Sequence, residues 1–149
     1  MQSNSVKKPL KVYIDENLAP QFARAFNTIQ EHLNVNEKKP IQVLSIKEEF
    51  GQGCIDEDWI PIVGKENGIV LTNDRRIQHN RHQRELYHKN GVGILFLHQP
   101  KKGLSFWGTF KHLVRWWDHI KSICKKNNTP FAYRQPGQNQ PFETWKNTK

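Results

Sequence analysis

Three places in the sequence set an aspartate at a strand-to-helix or loop-to-helix junction: Asp15 in YIDEN, Asp56 with Asp58 in CIDEDW, and Asp74 in LTNDRR. Carboxylates gathered in one crevice repel one another, and their pKa values rise unless a cation neutralises them. A hard divalent ion relieves that repulsion. All-oxygen donors with retained waters suit Mg2+ at roughly 2.0 to 2.1 Å, and Mn2+ accepts the same donors. The competing reading is structural, because aspartate is also a favoured helix N-cap and all three positions open helices. Taken singly, each Asp fits a cap as well as a ligand. Three at equivalent junctions favour a shared site, and a carboxylate with two oxygens can serve both purposes.

Directly after Asp74 comes RRIQHNRHQRELYHK, with four arginines and three histidines. Arg75, Arg76, Arg81 and Arg84 offer planar forks suited to a phosphodiester backbone, next to the acidic positions. The alternative is a solvated basic helix face. His79 and His82 stand three residues apart, yet no H-E-x-x-H pattern accompanies them, which favours polar surface roles over metal ligation. Trp116 and Trp117 are of a type that stacks on bases, but Trp117 falls on an apolar stripe and is assigned to the core. No Walker pattern, G-x-G-x-x-G or G-x-S-x-G occurs, so neither nucleotide hydrolysis nor serine hydrolase chemistry is indicated.

These side chains must be positioned by the elements around them. LKVYI, Leu10 to Ile14, reads as a strand that runs into a helix near Leu18. Leu18, Phe22, Ala25, Phe26, Ile29 and Leu33 form one apolar face of that helix, which ends near Asn34. Ile41 to Ile46 reads as a second strand, followed by EEFGQGC as a loop and by a helix starting at Asp56 that Pro61 distorts or shortens. Ile69 to Thr72 is a third strand. A basic helix from Arg75 to about Lys89 follows, then a fourth apolar run from Val92 to Leu97. The alternation predicts a parallel sheet covered by helices on both faces, with ligands bound at the carboxyl ends of the strands. Asp15 and Asp74 are expected to meet there. Leu104 to about Lys126 reads as a long helix whose stripe is Trp107, Phe110, Leu113, Val114, Trp117, Ile120 and Cys124. Phe131 to Arg134 reads as a short edge strand.

The chain has 149 residues, a length that suits one domain, expected over residues 10–135 between a flexible leader, 1–9, and a polar tail, 136–149. Five Trp and eight Phe supply large side chains for a core. A net charge of +9 and a pI near 9.7 favour polyanionic partners. No apolar run reaches the roughly 20 residues of a membrane span, and MQSNSVKK lacks the apolar core of a signal peptide, so a cytoplasmic protein with no membrane contact is expected. Cys54 and Cys124 form no C-x-x-C pair and are read as reduced thiols.

YIDEN followed by Leu18, a central Asp at a helix start, and VLTND-R, in this β/α order, resemble the PIN-like nuclease domains of the VapC toxin group. The similarity spans residues 10 to 98, and the later aromatic helix and FAYR resemble one branch of that group. The resemblance implies an α/β fold, a three-layer α/β/α sandwich with a central, mostly parallel sheet. It implies a metal-dependent endoribonuclease that hydrolyses RNA with metal-activated water, often a toxin partnered by an antitoxin. Asp15 would be the first-strand acid, Asp56 the helix acid and Asp74 the third acid around Mg2+ or Mn2+, with Glu16 in support. Asn17, Asn73, Arg75, Arg76, Arg81 and Arg84 would contact the RNA, and a homodimer is open on the sequence alone. The family often has a further acid two residues after the third, where this chain has Arg76; Asp58 is the available substitute. The alternative on the same fold is a non-catalytic nucleic-acid-binding or protein-interaction module.

Overall fold

The computed structural model describes residues 8–145. Most of the expected leader, residues 1–7, and the last four residues of the expected tail lie outside that range. In chain order the elements are β1 (Leu10–Ile14), α1 (Pro20–Leu33), β2 (Ile41–Ser45), α2 (Ile46–Phe50), α3 (Asp56–Lys65), β3 (Ile69–Thr72), α4 (Arg75–His79), α5 (Arg81–Lys89), β4 (Gly93–Phe96), α6 (Phe106–Lys126), β5 (Ala132–Arg134) and β6 (Glu143–Thr144). The strands form one sheet in the order β2-β1-β3-β4-β5-β6. The first five run parallel, and β6 returns antiparallel along β5.

Alternation along the central strands divides the core in two, because successive side chains point to opposite faces. Val12, Ile14, Ile69, Leu71 and Leu95 face a layer made by α1 and α6, through Phe22, Phe26, Leu113, Trp117 and Ile120. Tyr13, Val70, Ile94 and Phe96 face the other layer, where Trp59, Ile60 and Val63 of α3, Ile77 of α4 and Tyr87 of α5 pack. The result is a three-layer α/β/α sandwich with a central, mostly parallel sheet. Among the described residues no helix is long and apolar enough to cross a membrane. Cys54 and Cys124 are both free thiols.

Several elements differ from the sequence reading, each for a local reason. Glu48 and Glu49 belong to α2 and not to a loop, since the Ser45 hydroxyl caps that turn by accepting the Glu48 N–H at 3.3 Å. The expected single basic helix is broken at Asn80, whose side chain accepts from Gln83 N–H at 3.1 Å and starts α5 afresh. β5 is not an edge strand, because β6 pairs outside it. The stretch expected to be a polar tail from residue 136 carries that strand and sends Phe142 into the core.

The helix stripes are also narrower than their apolar residues suggest. Trp107 is 62% exposed and Val114 52%, while Ile29 on α1 is 57% exposed. In their place polar groups enter the core. Gln30 is fully buried, accepts the Trp117 indole N–H at 3.1 Å and donates to Asn34 at 2.8 Å and Glu37 at 3.1 Å. Glu37 in turn takes Lys121 at 2.5 Å. Burial would push the Glu37 carboxyl up, but hydrogen bonds from Lys121, Gln30 and Lys125 outweigh it and hold the pKa near 2, below the ordinary 4.5.

Candidate active site

The sheet order reverses at β1, since α1 carries the chain to β2 on one side while β3 lies on the other. The crevice between the carboxyl ends of β1 and β3 is therefore the switch point at which open α/β sheets bind ligands. Asp15 follows β1 directly, and its N–H still donates to Leu71 O at 3.0 Å. Thr72 ends β3. The pairing of Ile14 with Leu71 brings Asp15 next to Thr72 in register, on the α3 and α5 side of the sheet.

Thr72 is the joint of the site. Its hydroxyl donates to Asp15 Oδ2 at 3.0 Å and accepts the Asp74 N–H at 3.0 Å. Asp15 is only 5% exposed. Its pKa is pushed up to about 6, chiefly by burial; the Thr72 hydrogen bond opposes that rise and the charge of Asp74 adds to it. Asp74 caps α4 by accepting the Arg76 N–H at 2.9 Å. The Arg76 guanidinium then folds back, with Nε 3.2 Å from Oδ1 and Nη2 3.1 Å from Oδ2. Arg76 thus stands where the resemblance led one to expect an acid, and it pairs with the acid already there.

Asp56 is not a cap. Ile55 holds that position, and the Asp56 carboxylate accepts from the Trp59 indole at 3.2 Å and from the Gln83 amide of α5. Asp58 is exposed on the same helix. Glu16 is exposed too, but its Oε2 accepts the Gly53 N–H at 3.2 Å, which draws the loop before α3 towards the YIDEN turn. The Cys54 thiol beside it has a raised pKa, from burial first and then from the charges of Glu16, Asp56 and Asp15. Tyr87 reports the same convergence from beneath. Burial, followed by the charges of Asp15, Asp56 and Asp74, lifts its pKa well above the ordinary value. Asp15 and Asp74 are thus linked through Thr72, while Asp56 is tied to Trp59 and to Gln83 of α5.

A family model for the PIN-like domain matches residues 10–99. The chain belongs to the PIN-like domain family. The match runs from β1 to just past β4 and so contains Asp15, Asp56 and Asp74. No curated protein and no solved structure matches the chain.

On the Asp74 side the PIN-like domain has an open trough. One hollow of about 350 Å3 is lined by Asn17, Asn73, Asp74, Arg75, Gln99 and Lys101. A second of about 250 Å3 shares Asn17, Asn73 and Gln99 and extends to Phe106, which is 56% exposed. Arg75 borders this trough and is held by the Gln99 carbonyl. Arg81 is exposed and pairs with Glu85 at 2.9 Å. Arg84 is placed elsewhere: its guanidinium lies 4.2 Å from the Trp145 ring centroid and donates to the Gln78 carbonyl. It lines a separate cavity of about 430 Å3 with Tyr87, Phe131 and Trp145. His79 and His82 are exposed.

The donor set is of the right kind for a hard divalent ion, since it offers carboxylate oxygens with hydroxyls behind them. Its arrangement is open. Among the described residues no three His, Cys, Asp or Glu side chains stand close enough to hold an ion as they are. Thr72, Gln83 and Tyr87 were not singled out from the sequence. For Thr72 the signal was a hydroxyl at the end of a strand, two residues before an expected ligand.

Proposed function

We propose that this PIN-like domain is a metal-dependent endoribonuclease whose centre is the crevice between β1 and β3. The observation that carries the reading is the buried Asp15 carboxylate, fixed by Thr72 beside Asp74. A carboxylate buried at a switch point that forms no ion pair among the described residues is suited to a cation supplied from solution. Asp15, Asp56 and Asp74 would hold Mg2+ or Mn2+, with Glu16 alongside. Such an ion lowers the pKa of a bound water and stabilises charge on the phosphate.

The chain's own groups do the rest. Thr72 orients Asp15, and Gln83 and Trp59 orient Asp56. The trough past Asn17, Asn73, Gln99 and Lys101 receives a single strand, with Arg75 and Lys101 facing its phosphates and Phe106 offering a ring for stacking. The +9 net charge supports a polyanionic substrate. The motifs shared with the VapC group extend the reading to a toxin restrained by an antitoxin.

The Arg76 fork favours a second reading, in which Asp74 is permanently neutralised and the domain binds RNA without cutting it. Incubation with single-stranded RNA separates the two. The nuclease reading expects cleavage with Mg2+ or Mn2+ that stops in EDTA and in Asp74→Asn. Salt-sensitive RNA binding with no cleavage at any metal concentration refutes it.

A further inference from the structure

Tyr87 is 1% exposed, and its hydroxyl has no hydrogen-bond partner. A buried hydroxyl left in this state lowers stability, and phenylalanine would fill the same space without that cost. The contrast with Tyr13, packed in the same cluster, is direct, because the Tyr13 hydroxyl donates to Glu66 at 3.4 Å. Packing therefore gives no reason for the oxygen of Tyr87.

The direction of the side chain gives one. Tyr87 lies one turn after Gln83 on the same face of α5, and Gln83 is bonded to Asp56. Helical side chains lean towards the N-terminus of their helix, and α5 begins at the carboxylate crevice. The Tyr87 ring also meets Trp59 edge-on, 5.9 Å between centroids, and Trp59 is bonded to Asp56. The strand register puts Asp15 on this same side of the sheet. The charges of Asp15, Asp56 and Asp74 all raise the pKa of the Tyr87 hydroxyl, after burial.

We infer that Tyr87 is a positioning residue of the acidic crevice: its hydroxyl donates to the Asp15 carboxylate when the acids close on a divalent ion, and so fixes the orientation of that ligand. The inference rests on the proposed metal site. It explains why an unpartnered hydroxyl is kept in the core, since its partner is complete only in the ion-bound state. Thr72 and the backbone of Glu16 and Asn17 hold Asp15 at all times, and Tyr87 adds a further restraint on closure.

The test is calorimetric titration of Mn2+ into wild type and Tyr87→Phe, with thermal melting of both proteins with and without the ion. Without metal, Tyr87→Phe melts at or above the wild-type temperature. Its Mn2+ affinity falls about ten- to hundredfold, the loss typical of an outer-shell partner, and the melting shift produced by Mn2+ shrinks with it. Equal Mn2+ affinity in the two proteins overturns the inference while leaving the metal site standing. A lower metal-free melting temperature for Tyr87→Phe also overturns it, because the hydroxyl would then be structural. Absence of Mn2+ binding to wild type overturns the metal site itself and the role of Tyr87 with it.

Discussion

The Thr72 hydroxyl lies 3.0 Å from Asp15 Oδ2 and binds the two ends of the candidate site together, since the same oxygen accepts the Asp74 N–H. Thr72 is fully buried, so no water stands ready to replace it. Thr72→Val keeps the branched shape but removes one hydrogen bond from Asp15 and leaves the Asp74 N–H without its partner. It is expected to cost about 1–3 kcal/mol in urea unfolding and to weaken Mn2+ binding about ten- to hundredfold. Thr72→Ser, which keeps the hydroxyl, should retain most of both. Equal losses in the two variants would show that the methyl group, and not the hydrogen bond, is what matters.

Arg76 competes for Asp74. Its side chain is 82% exposed, so the pair is screened and easily parted. Arg76→Ala is expected to tighten Mn2+ binding about two- to fivefold, the range of an exposed ion pair, and Arg76→Asp to tighten it further by adding an acid. Calorimetric titration measures both. Weaker binding in Arg76→Ala would mean that the guanidinium supports the site.

Much of this arrangement could be read from the sequence because it follows from periodicity. The two-residue alternation of β1 and β3 and the β/α order place Asp15 and Asp74 at neighbouring strand ends whatever the details of the helices. Other features depend on contacts that no local pattern records. Gln30 looks like a surface residue until Trp117, 87 positions away, supplies its donor. Trp107 and Val114 fit the α6 stripe, yet no neighbouring element covers them among the described residues. Reading Arg75 to Lys89 as one helix hid the break at Asn80, and with it the face of α5 that carries Gln83 and Tyr87. Asn80 followed by Gln83 was a capping signal within the sequence.

The Glu37 cluster contributes to the acid response of the fold. The native pKa of Glu37 is held near 2 against 4.5 ordinarily, so the unfolded chain binds a proton first as the pH drops. Its contribution is complete above about pH 4.5 and is lost progressively as the pH falls towards 2. Glu37→Gln should unfold more readily than wild type at pH 6 and show a shallower loss of stability between those two values. Urea midpoints measured across the range test this. Parallel curves for the two proteins would remove Glu37 from the acid response.

The central claim is that the carboxylates at the β1 and β3 ends cut RNA. Asp15→Asn preserves size and can still accept from Thr72, while it removes the buried charge. The direct measurement is the rate of single-stranded RNA cleavage in Mn2+ by wild type and Asp15→Asn, both checked for intact fold by circular dichroism. The expected result is metal-dependent cleavage by wild type and a loss of at least about a hundredfold in the variant, the scale of removing a group that stabilises the transition state. Cleavage at equal rates by the two folded proteins, or none by wild type, would contradict it.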